Sequence, residues 1–435
     1  MRLEVLNFAK IKNADIRLDG ITVIAGENNT GKSTVGKILY SIFNSLYDIE
    51  NVIEKSRKDV IISKCRRSLK SILTQRERED NWKSNTNSSR KIENAVRNFI
   101  DRLTRQDVYL DDISYIAEIL HETIEKYELQ VEQRLIYEFL DGVESIIKHV
   151  YNTDNYMIGM GIVEDFFNLV FGSQINNLAS DEMAGLKLTL QGKVFEFDFK
   201  KNNCTYWRRG MDILHEAFLL DDPFVIDKLG NSENEVNVIR NLLLQRLEKQ
   251  TDEFNVVNSI WAKEKLKEIL DILNNVVPAG IDENNGEWSL CYDKYAEPIR
   301  FYNISAGLKS FVLLKLMLEK GVLKEQDVLI LDEPEIHLHP EWQIKYAEII
   351  ILLQKRFDLT IVVTTHSRDF FEALELFSKK HKINDKCSFY LSEVLEDGVK
   401  FTDVSEDTMQ VYKHLVTPSR LLDKMKFELE EMNNE

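Results

Sequence analysis

Glycine and proline are both missing from a long stretch of this 435-residue sequence, residues 37–141. These two residue types are the strongest helix breakers, so their absence over such a length favours consecutive helices. Apolar side chains also recur there at helical spacing, for example at Ile92, Val96 and Phe99. No heptad pattern persists long enough for an extended coiled coil. We therefore predict a compact helical insertion over residues 48–180.

Cysteines and long apolar runs are also scarce. The four cysteines (Cys65, Cys204, Cys291 and Cys387) lie far apart with no CxxC pair, which excludes a zinc knuckle and a disulfide framework. No apolar run approaches the ~18 residues that a membrane helix needs. The N-terminal segment lacks the apolar core of a signal peptide. We expect a soluble protein of the reducing cytoplasm with no membrane partner.

Positive charge is in deficit, because the chain carries a formal net charge of −17 at pH 7. Such an acidic balance argues against a protein that coats nucleic acid with its whole surface. Residues 51–105 are the local exception, with 15 Lys and Arg against 7 Asp and Glu. They include Lys64, Arg66, Arg67, Lys70, Arg76 and Arg78. Two interpretations stay open: a solvated helix face, or a patch that contacts nucleic acid or an acidic partner.

Strand and helix patterns alternate at both ends of the chain. Strand patterns occur over 1–8, 14–18, 21–25, 186–199, 287–302, 328–331, 359–365 and 389–401, and helical patterns over 31–47, 234–274, 304–319 and from 340 and 368 onward. Strands that alternate with helices indicate a largely parallel sheet. We therefore predict an α/β fold whose mixed sheet is divided between 1–47 and 285–435. The helical insertion 48–180 and a hairpin-and-helix region 181–284 lie between these two parts.

The segment Gly26-Glu27-Asn28-Asn29-Thr30-Gly31-Lys32-Ser33, followed by Thr34, fits the phosphate-binding pattern GxxxxGK[ST]. It lies between a predicted strand and a predicted helix, which is the context that this motif requires. The glycines let the loop wrap a phosphate, whose charge is held by backbone N–H groups and the helix N-terminus. Lys32 then reaches the β- and γ-phosphates, and the Ser33 hydroxyl is a ligand for Mg²⁺. The segment predicts a site for ATP with Mg²⁺.

Two apolar strands end in polar residues that such a site needs. Asp332 and Glu333 follow the strand 328–331, and His366 follows the strand 359–365. A buried strand that delivers acids at its carboxyl end places a Mg²⁺ ligand near bound phosphates, and we assign this role to Asp332. Glu333 is the candidate base or orienting group for the attacking water. His366 is the candidate sensor of the γ-phosphate or of that water.

Ser305 and Gly307 open the helix that precedes the first of these strands. Ser305 is a good N-cap, and a glycine two residues later permits close approach by another molecule. On these residues alone, an ordinary capped helix is the better interpretation.

Five motifs follow one another along the chain: the P-loop Gly26–Ser33, the SxG segment Ser305–Gly307 at the start of a helix, LILDEPE at Leu329–Glu335, HLHP at His337–Pro340 and TTHS at Thr364–Ser367. Their order resembles ABC-type ATPases of the SMC/RecF/OLD group. It looks most like the small bacterial members used in antiphage defence, such as the ATPases of Septu and PARIS. The resemblance covers about 1–47 and 285–420, and it implies an ABC-type ATPase head that hydrolyses ATP as a homodimer or a higher even oligomer. It also implies that Ser305 and Gly307 act on the partner's nucleotide, that Glu335–His339 communicates across the dimer, and that His366 is the switch histidine.

Some positions depart from the pattern of that group. The signature reads SAG rather than SGG, and Lys309 stands where glutamine is familiar, which puts transporter-like kinetics in doubt. The glutamine that usually contacts Mg²⁺ cannot be placed, and Gln75 and Gln191 are the two candidates.

Other chemistries stay open. Glu335, His337 and His339 have the side chains of a transition-metal site, although HLHP beside DEPE is a feature of the resembling group. A DNA-repair ATPase of the RecF kind is the main alternative function. A transport ATPase is disfavoured by the long insertion and the HLHP loop. An OLD-type nuclease is disfavoured because 69 residues follow His366, too few for the appended TOPRIM nuclease domain, so we expect the effector nuclease to be a separate chain.

Overall fold

The computed structural model describes the chain except for residues 80–85, 106–109, 178–180, 231–236, 250–255, 396–397, 416–424 and 427–435. The side chains of 75–79, 86–88 and 256–265 are also outside the described set. Three side chains singled out from the sequence, those of Gln75, Arg76 and Arg78, therefore lie outside the described residues. The chain forms two compact units, one of Met1–Tyr47 with Ile162–Glu435 and one of Asp48–Gly161.

Strands of the first unit form two sheets. They are β1 (Arg2–Phe8), β2 (Ile11–Arg17), β3 (Ile21–Gly26), β4 (Ala184–Leu190), β5 (Lys193–Lys200), β6 (Asn203–Arg208), β7 (Ala217–Leu220), β8 (Gly280–Asn284), β9 (Glu287–Cys291), β10 (Ile299–Arg300), β11 (Val328–Asp332), β12 (Thr360–Thr365), β13 (Cys387–Leu395) and β14 (Gly398–Asp403). In the described part of the chain, the large sheet has 11 strands in the order β6-β5-β4-β1-β2-β14-β13-β3-β12-β11-β7. The small sheet has the order β10-β9-β8.

The large sheet is mixed, with a parallel part around β3. β3 pairs in parallel with β13 and β12, β12 with β11, and β11 with β7. All six residues of β3 are buried, as expected for a central parallel strand that is covered on both faces. The predicted α/β fold with a mixed sheet is confirmed. Two strands that the sequence patterns did not indicate, β6 and β7, join it at its opposite edges.

Helices alternate with these strands and fill the second unit. They are α1 (Lys32–Leu46), α2 (Ile49–Glu79), α3 (Thr86–Leu103), α4 (Ile113–Lys126), α5 (Gln133–Asn152), α6 (Asn155–Phe171), α7 (Val238–Glu248), α8 (Val256–Val276), α9 (Ala306–Glu319), α10 (Pro340–Phe357), α11 (Arg368–Lys380) and α12 (Met409–Leu415). Short 3₁₀ helices occupy Pro223–Lys228, Phe301–Asn303 and Asn384–Lys386. No described helix is long and apolar enough to cross a membrane.

The unit Asp48–Gly161 has its own apolar core, formed by α2 to α5. Leu69, Phe99, Leu120 and Val143 are fully buried in it. The rings of Phe99 and Phe139 meet edge to face with centroids 6.2 Å apart. The consecutive helices predicted from the missing glycine and proline are confirmed here, whereas the domain limits drawn from the sequence stay predictions.

Gly20 leads into β3 at a position that only glycine fits. Its φ is +68°, and a Cβ atom there would lie 2.4 Å from the carbonyl oxygen of Lys386. Gly192, in the turn between β4 and β5, offers a matched control, because its φ is +75° and no described atom lies within 4 Å of such a Cβ.

We expect Gly192→Ala to lower the free energy of unfolding by about 1–2 kcal/mol, the cost of a left-handed L residue. Gly20→Ala should lower it by roughly 1–3 kcal/mol more, because the backbone of Lys386 must also move. Urea unfolding of both variants measures the difference. Equal losses would contradict the close packing between Gly20 and Lys386.

Candidate nucleotide-binding site

The P-loop connects β3 to α1 through backbone that favours glycine. Gly26 and Gly31 have φ values of +156° and +74°. A Cβ atom on Gly26 would lie 2.3 Å from the Oγ of Ser392 on the neighbouring strand β13, so no larger residue fits. The Thr30 hydroxyl lies 2.7 Å from the same Ser392 Oγ, and it donates to the Glu27 carbonyl at 2.8 Å. The loop is therefore held in shape by its own hydroxyl and by β13.

Lys32 is the first residue of α1 and lies across the loop. Its side chain is 3% exposed, and its Nζ donates to the carbonyl oxygens of Gly26 at 3.0 Å and Glu27 at 2.7 Å. The N–H groups of the first helical turn have no partner within the helix, and the helix dipole adds positive potential at this end. The loop therefore has the charge and the donors that a polyphosphate requires.

Asp332 lies at the carboxyl end of β11 and joins three segments. The Ser33 hydroxyl donates to its Oδ1 at 2.9 Å, and the Thr364 hydroxyl of β12 donates to the same oxygen at 2.6 Å. Burial raises the pKa of the Asp332 carboxyl above its ordinary value, while these two hydrogen bonds lower it. A hydroxyl and a carboxylate oxygen are ligands that Mg²⁺ prefers, so Ser33 and Asp332 fit the predicted metal. When bound, Mg²⁺ would neutralise charge on the β- and γ-phosphates.

Glu333 occupies a strained turn between Lys32 and His366. Its φ is +49°, and its N–H donates to the Thr364 carbonyl at 3.2 Å. One carboxylate oxygen lies 3.3 Å from Lys32 Nζ, and the other lies 3.5 Å from His366 Nδ1. The structure therefore brings together the three groups that the sequence places at the γ-phosphate end of the site.

Glu335 is buried against β12, where it lies 3.8 Å from the His366 ring nitrogen Nδ1 instead of forming a described metal cluster with His337 and His339. It is 2% exposed, and its Oε1 accepts from the Thr365 hydroxyl at 2.5 Å and from the His366 N–H at 3.1 Å. Burial raises the pKa of the Glu335 carboxyl. The ring of His337 instead packs against Phe224, with centroids 5.7 Å apart. Within the described residues, no cluster of three His, Cys, Asp or Glu could hold a metal ion.

A second acidic strand end, which the sequence analysis did not single out, lies beside Asp332. β7 pairs with β11 so that Leu220 is opposite Leu331, and the next residues are Asp221 and Asp332. Asp221, Asp222, Asp332 and Glu333 line one pocket. The signal was present in the sequence, because Phe218-Leu219-Leu220-Asp221 repeats the pattern of an apolar run that ends in acids.

Arg240 of α7 pairs with both new acids, at 3.2 Å from Asp221 and 3.0 Å from Asp222. The candidate glutamine Gln191 lies elsewhere, in the turn between β4 and β5. Four strands separate β4 from β3 in the sheet. The strand end next to Asp332 therefore carries an aspartate, and Gln191 is not placed there.

The SAG segment begins α9. Ser305 is exposed and caps the helix, with its hydroxyl accepting from the Leu308 N–H at 3.4 Å. Gly307 is buried within its own chain, because a Cβ atom there would lie 2.6 Å from the His337 carbonyl oxygen and 3.4 Å from the Trp342 ring. Among the described residues, no hydrogen bond joins Ser305 to the P-loop. The structure thus gives Gly307 a role in packing inside the chain.

We expect Glu333→Gln to keep ATP binding and to slow hydrolysis strongly, because the amide cannot accept a proton from the attacking water. Loss of a general base typically lowers the rate by about 10²–10⁴-fold. Single-turnover hydrolysis and fluorescent-nucleotide binding measure the two effects separately. Glu341→Gln, a change of an exposed residue in the first turn of α10, is the control. Equal rates for Glu333→Gln and wild type would remove Glu333 from this role.

A family profile described as "AAA ATPase domain" matches residues 1–371. No curated protein sequence matches the chain.

Among solved structures, the chain is similar to an Smc head bound to the C-winged helix domain of ScpA, at 10% identity and a TM-score of 0.44, with 94% of this chain and 98% of that chain covered. It is also similar to the SMC head domain from Thermotoga maritima, at 11% identity and a TM-score of 0.37, with 93% and 98% covered. A third is the Smc head from Pyrococcus furiosus with an extended coiled coil, bound to the C-terminal domain of ScpA, at 11% identity and a TM-score of 0.34, with 95% and 98% covered. Because the family profile spans most of the sequence, this chain belongs to the AAA ATPase domain family and is an ATPase.

Proposed function

We propose that this ATPase is an ABC-type nucleotide-driven switch that acts as a homodimer. The observation that carries the proposal is the arrangement at one edge of the sheet. Lys32, Asp332, Glu333 and His366 lie together there, whereas Ser305 is exposed and has no described contact with the P-loop of its own chain. A second copy that presents its Ser305 to this edge would complete the site. ATP binding would then close the dimer, and hydrolysis would open it.

Exposed apolar side chains near Ser305 support this dimer. Tyr302, three residues before Ser305, is 80% exposed, and Ile336, in the loop between Asp332 and α10, is 54% exposed. Gly307 packs against His337, which places the start of α9 beside this loop. Apolar side chains that remain exposed around a functional edge are typical of a surface that is covered by a partner. The proposed partner is a second copy of the chain.

We propose a biological role in bacterial antiphage defence, as a sensor or regulator whose effector nuclease is a separate chain. The proposal rests on the order of the motifs in the sequence. The acids at the sheet edge, Asp332 and Glu333, are assigned to the nucleotide's metal and water, so they are not free for a second substrate. Cleavage of nucleic acid would then require the partner nuclease and would depend on Lys32.

A mixture of two inactive variants tests the dimeric site. Ser305→Arg should bind ATP and fail to hydrolyse it, and Lys32→Ala should fail to bind it. A mixed dimer then holds one intact site, made from the P-loop of one variant and Ser305 of the other. Random mixing in equal amounts should restore about a quarter of the wild-type rate if the two sites of a symmetric dimer act independently. Full activity of Ser305→Arg alone would refute the shared site.

A DNA-repair ATPase of the RecF kind is the alternative, and basic side chains on α2 favour it. Arg66 and Lys70 are exposed one helical turn apart, and no described carboxylate pairs with either. Phosphate contacts made by such side chains would be sensitive to salt.

The double variant Arg66→Glu/Lys70→Glu tests this alternative. It should weaken binding to duplex DNA and reduce the slope of log affinity against log salt by about 0.9 per lost phosphate contact. Lys126→Glu/Lys148→Glu, on α4 and α5, is the control. If neither double variant changes the affinity for duplex DNA, the basic residues form a solvated surface and the alternative is refuted. ATP binding should be unchanged throughout, because the P-loop belongs to the other unit.

A further inference from the structure

Lys309, on the helix that Ser305 caps, is a buried ammonium with a defined anchor. The residue is 1% exposed, and its Nζ donates to both carboxylate oxygens of Asp227, at 2.6 Å for Oδ1. The rings of Phe224 and Tyr302 lie 4.7 and 5.9 Å from the same Nζ. The side chains of Lys309 and Asp227 are 2% and 14% exposed, so both charges are largely removed from water and a shift of one group away from the other is unfavourable. The pair therefore fixes where α9 sits relative to the segment that carries Asp227.

That segment comes directly from the nucleotide edge of the sheet. Asp227 belongs to the 3₁₀ helix Pro223–Lys228, which follows β7 and the two acids Asp221 and Asp222. The Asp222 carboxylate caps this short helix by accepting from the Phe224 N–H at 2.9 Å. Only a few residues thus separate the acids in the pocket of Asp332 from the anchor of Lys309.

The loop after Asp332 and Glu333 holds α9 at a second point. Gly307 packs so closely on this loop that a Cβ atom would lie 2.6 Å from the His337 carbonyl oxygen. The ring of His337 packs in turn on Phe224 of the 3₁₀ helix. The first turns of α9 are therefore clamped between two segments, and both segments begin at carboxyl ends of the adjacent strands β7 and β11.

We propose that Lys309 is a positioning residue that couples the nucleotide edge of one subunit to the place where that subunit presents Ser305 to its partner. The inference rests on the proposed function, in which Ser305 acts at the nucleotide site of the partner subunit. A shift of Asp221 and Asp222 on nucleotide binding would move the 3₁₀ helix, and the Asp227–Lys309 pair would pass this movement to α9. Lys309 touches no nucleotide in this scheme, and it acts through the position of Ser305.

Lys315 offers a matched control on the same helix. It is 3% exposed, and its Nζ donates to the Asn274 side chain at 2.9 Å and to the Ala279 carbonyl at 2.8 Å. These partners lie at the end of α8 and just after it, and they do not belong to the segments that follow β7 or β11. A buried lysine that is lost from α9 therefore disturbs packing in both variants, but only Lys309 is linked to the nucleotide edge.

The experiment compares Lys309→Met, Lys309→Met/Asp227→Asn and Lys315→Met. The double variant removes both charges of the pair, so it should fold where the single variant fails. We expect both Lys309 variants to bind a fluorescent ATP analogue within about 2-fold of wild type, since interactions made by the P-loop are unchanged. Their turnover at saturating ATP should fall by about 100-fold, the scale of a misplacement of roughly 1 Å in a positioned group. Lys315→Met should keep turnover, and Lys309→Arg should restore part of it.

The outcomes separate the inference from the proposed function. Full hydrolysis by Ser305→Arg would overturn the shared site and the inference with it. If Ser305→Arg is inactive, but the Lys309 and Lys315 variants lose turnover only in proportion to their melting temperatures, the dimeric switch stands and Lys309 is merely part of the core. Unchanged turnover in the double variant would also overturn the inference. A loss of turnover confined to the Lys309 variants, with nucleotide binding kept, supports it.

Discussion

Parallel pairing of β3, β12, β11 and β7 is the constraint on which the site depends. Because the four strands run in the same direction, their carboxyl ends meet at one edge, and their registers bring Asp332 opposite Thr364. The Thr364 hydroxyl then bonds to the Asp332 carboxylate, and the same carboxylate accepts from Ser33 at the start of α1. One hydrogen-bonded acid therefore joins the P-loop to two neighbouring strands. A change in the register of β11 by one residue would turn this carboxylate to the other face of the sheet.

A second buried acid stabilises the same edge. Glu335 accepts from the Thr365 hydroxyl and the His366 N–H, so the loop after β11 is tied to the end of β12. Its other carboxylate oxygen, Oε2, is buried without a described partner. Burial raises the pKa of this carboxyl, because the charged form loses hydration that two donors only partly replace. Hydrogen bonds between the loop after β11 and the end of β12 consequently hold the backbone at both Glu333 and His366.

The helix that begins with the SAG segment depends on this edge as well. Gly307 packs on the loop after β11, and Lys309 pairs with Asp227 after β7. The sequence alone marks Gly307 as a point where another molecule can approach closely and Lys309 as a departure from the glutamine of the resembling group. The structure gives both residues partners within the chain. Of Ser305, Gly307 and Lys309, Ser305 is the exposed residue, which supports its proposed role at the partner's site.

The sequence by itself determined the features whose physics is local. The P-loop needs glycine at Gly26 and Gly31 because of backbone conformation, and the strand and helix around it follow from short-range patterns. The absence of helix breakers in 37–141 predicted the helical unit for the same reason. Only the tertiary structure decided which distant residues meet. The apolar run of β7 is visible in the sequence, but only its pairing with β11 places the acids that follow it beside Asp332. Asp227 and Lys309 lie 82 residues apart, and a buried charge acquires its partner only when packing brings the two segments together.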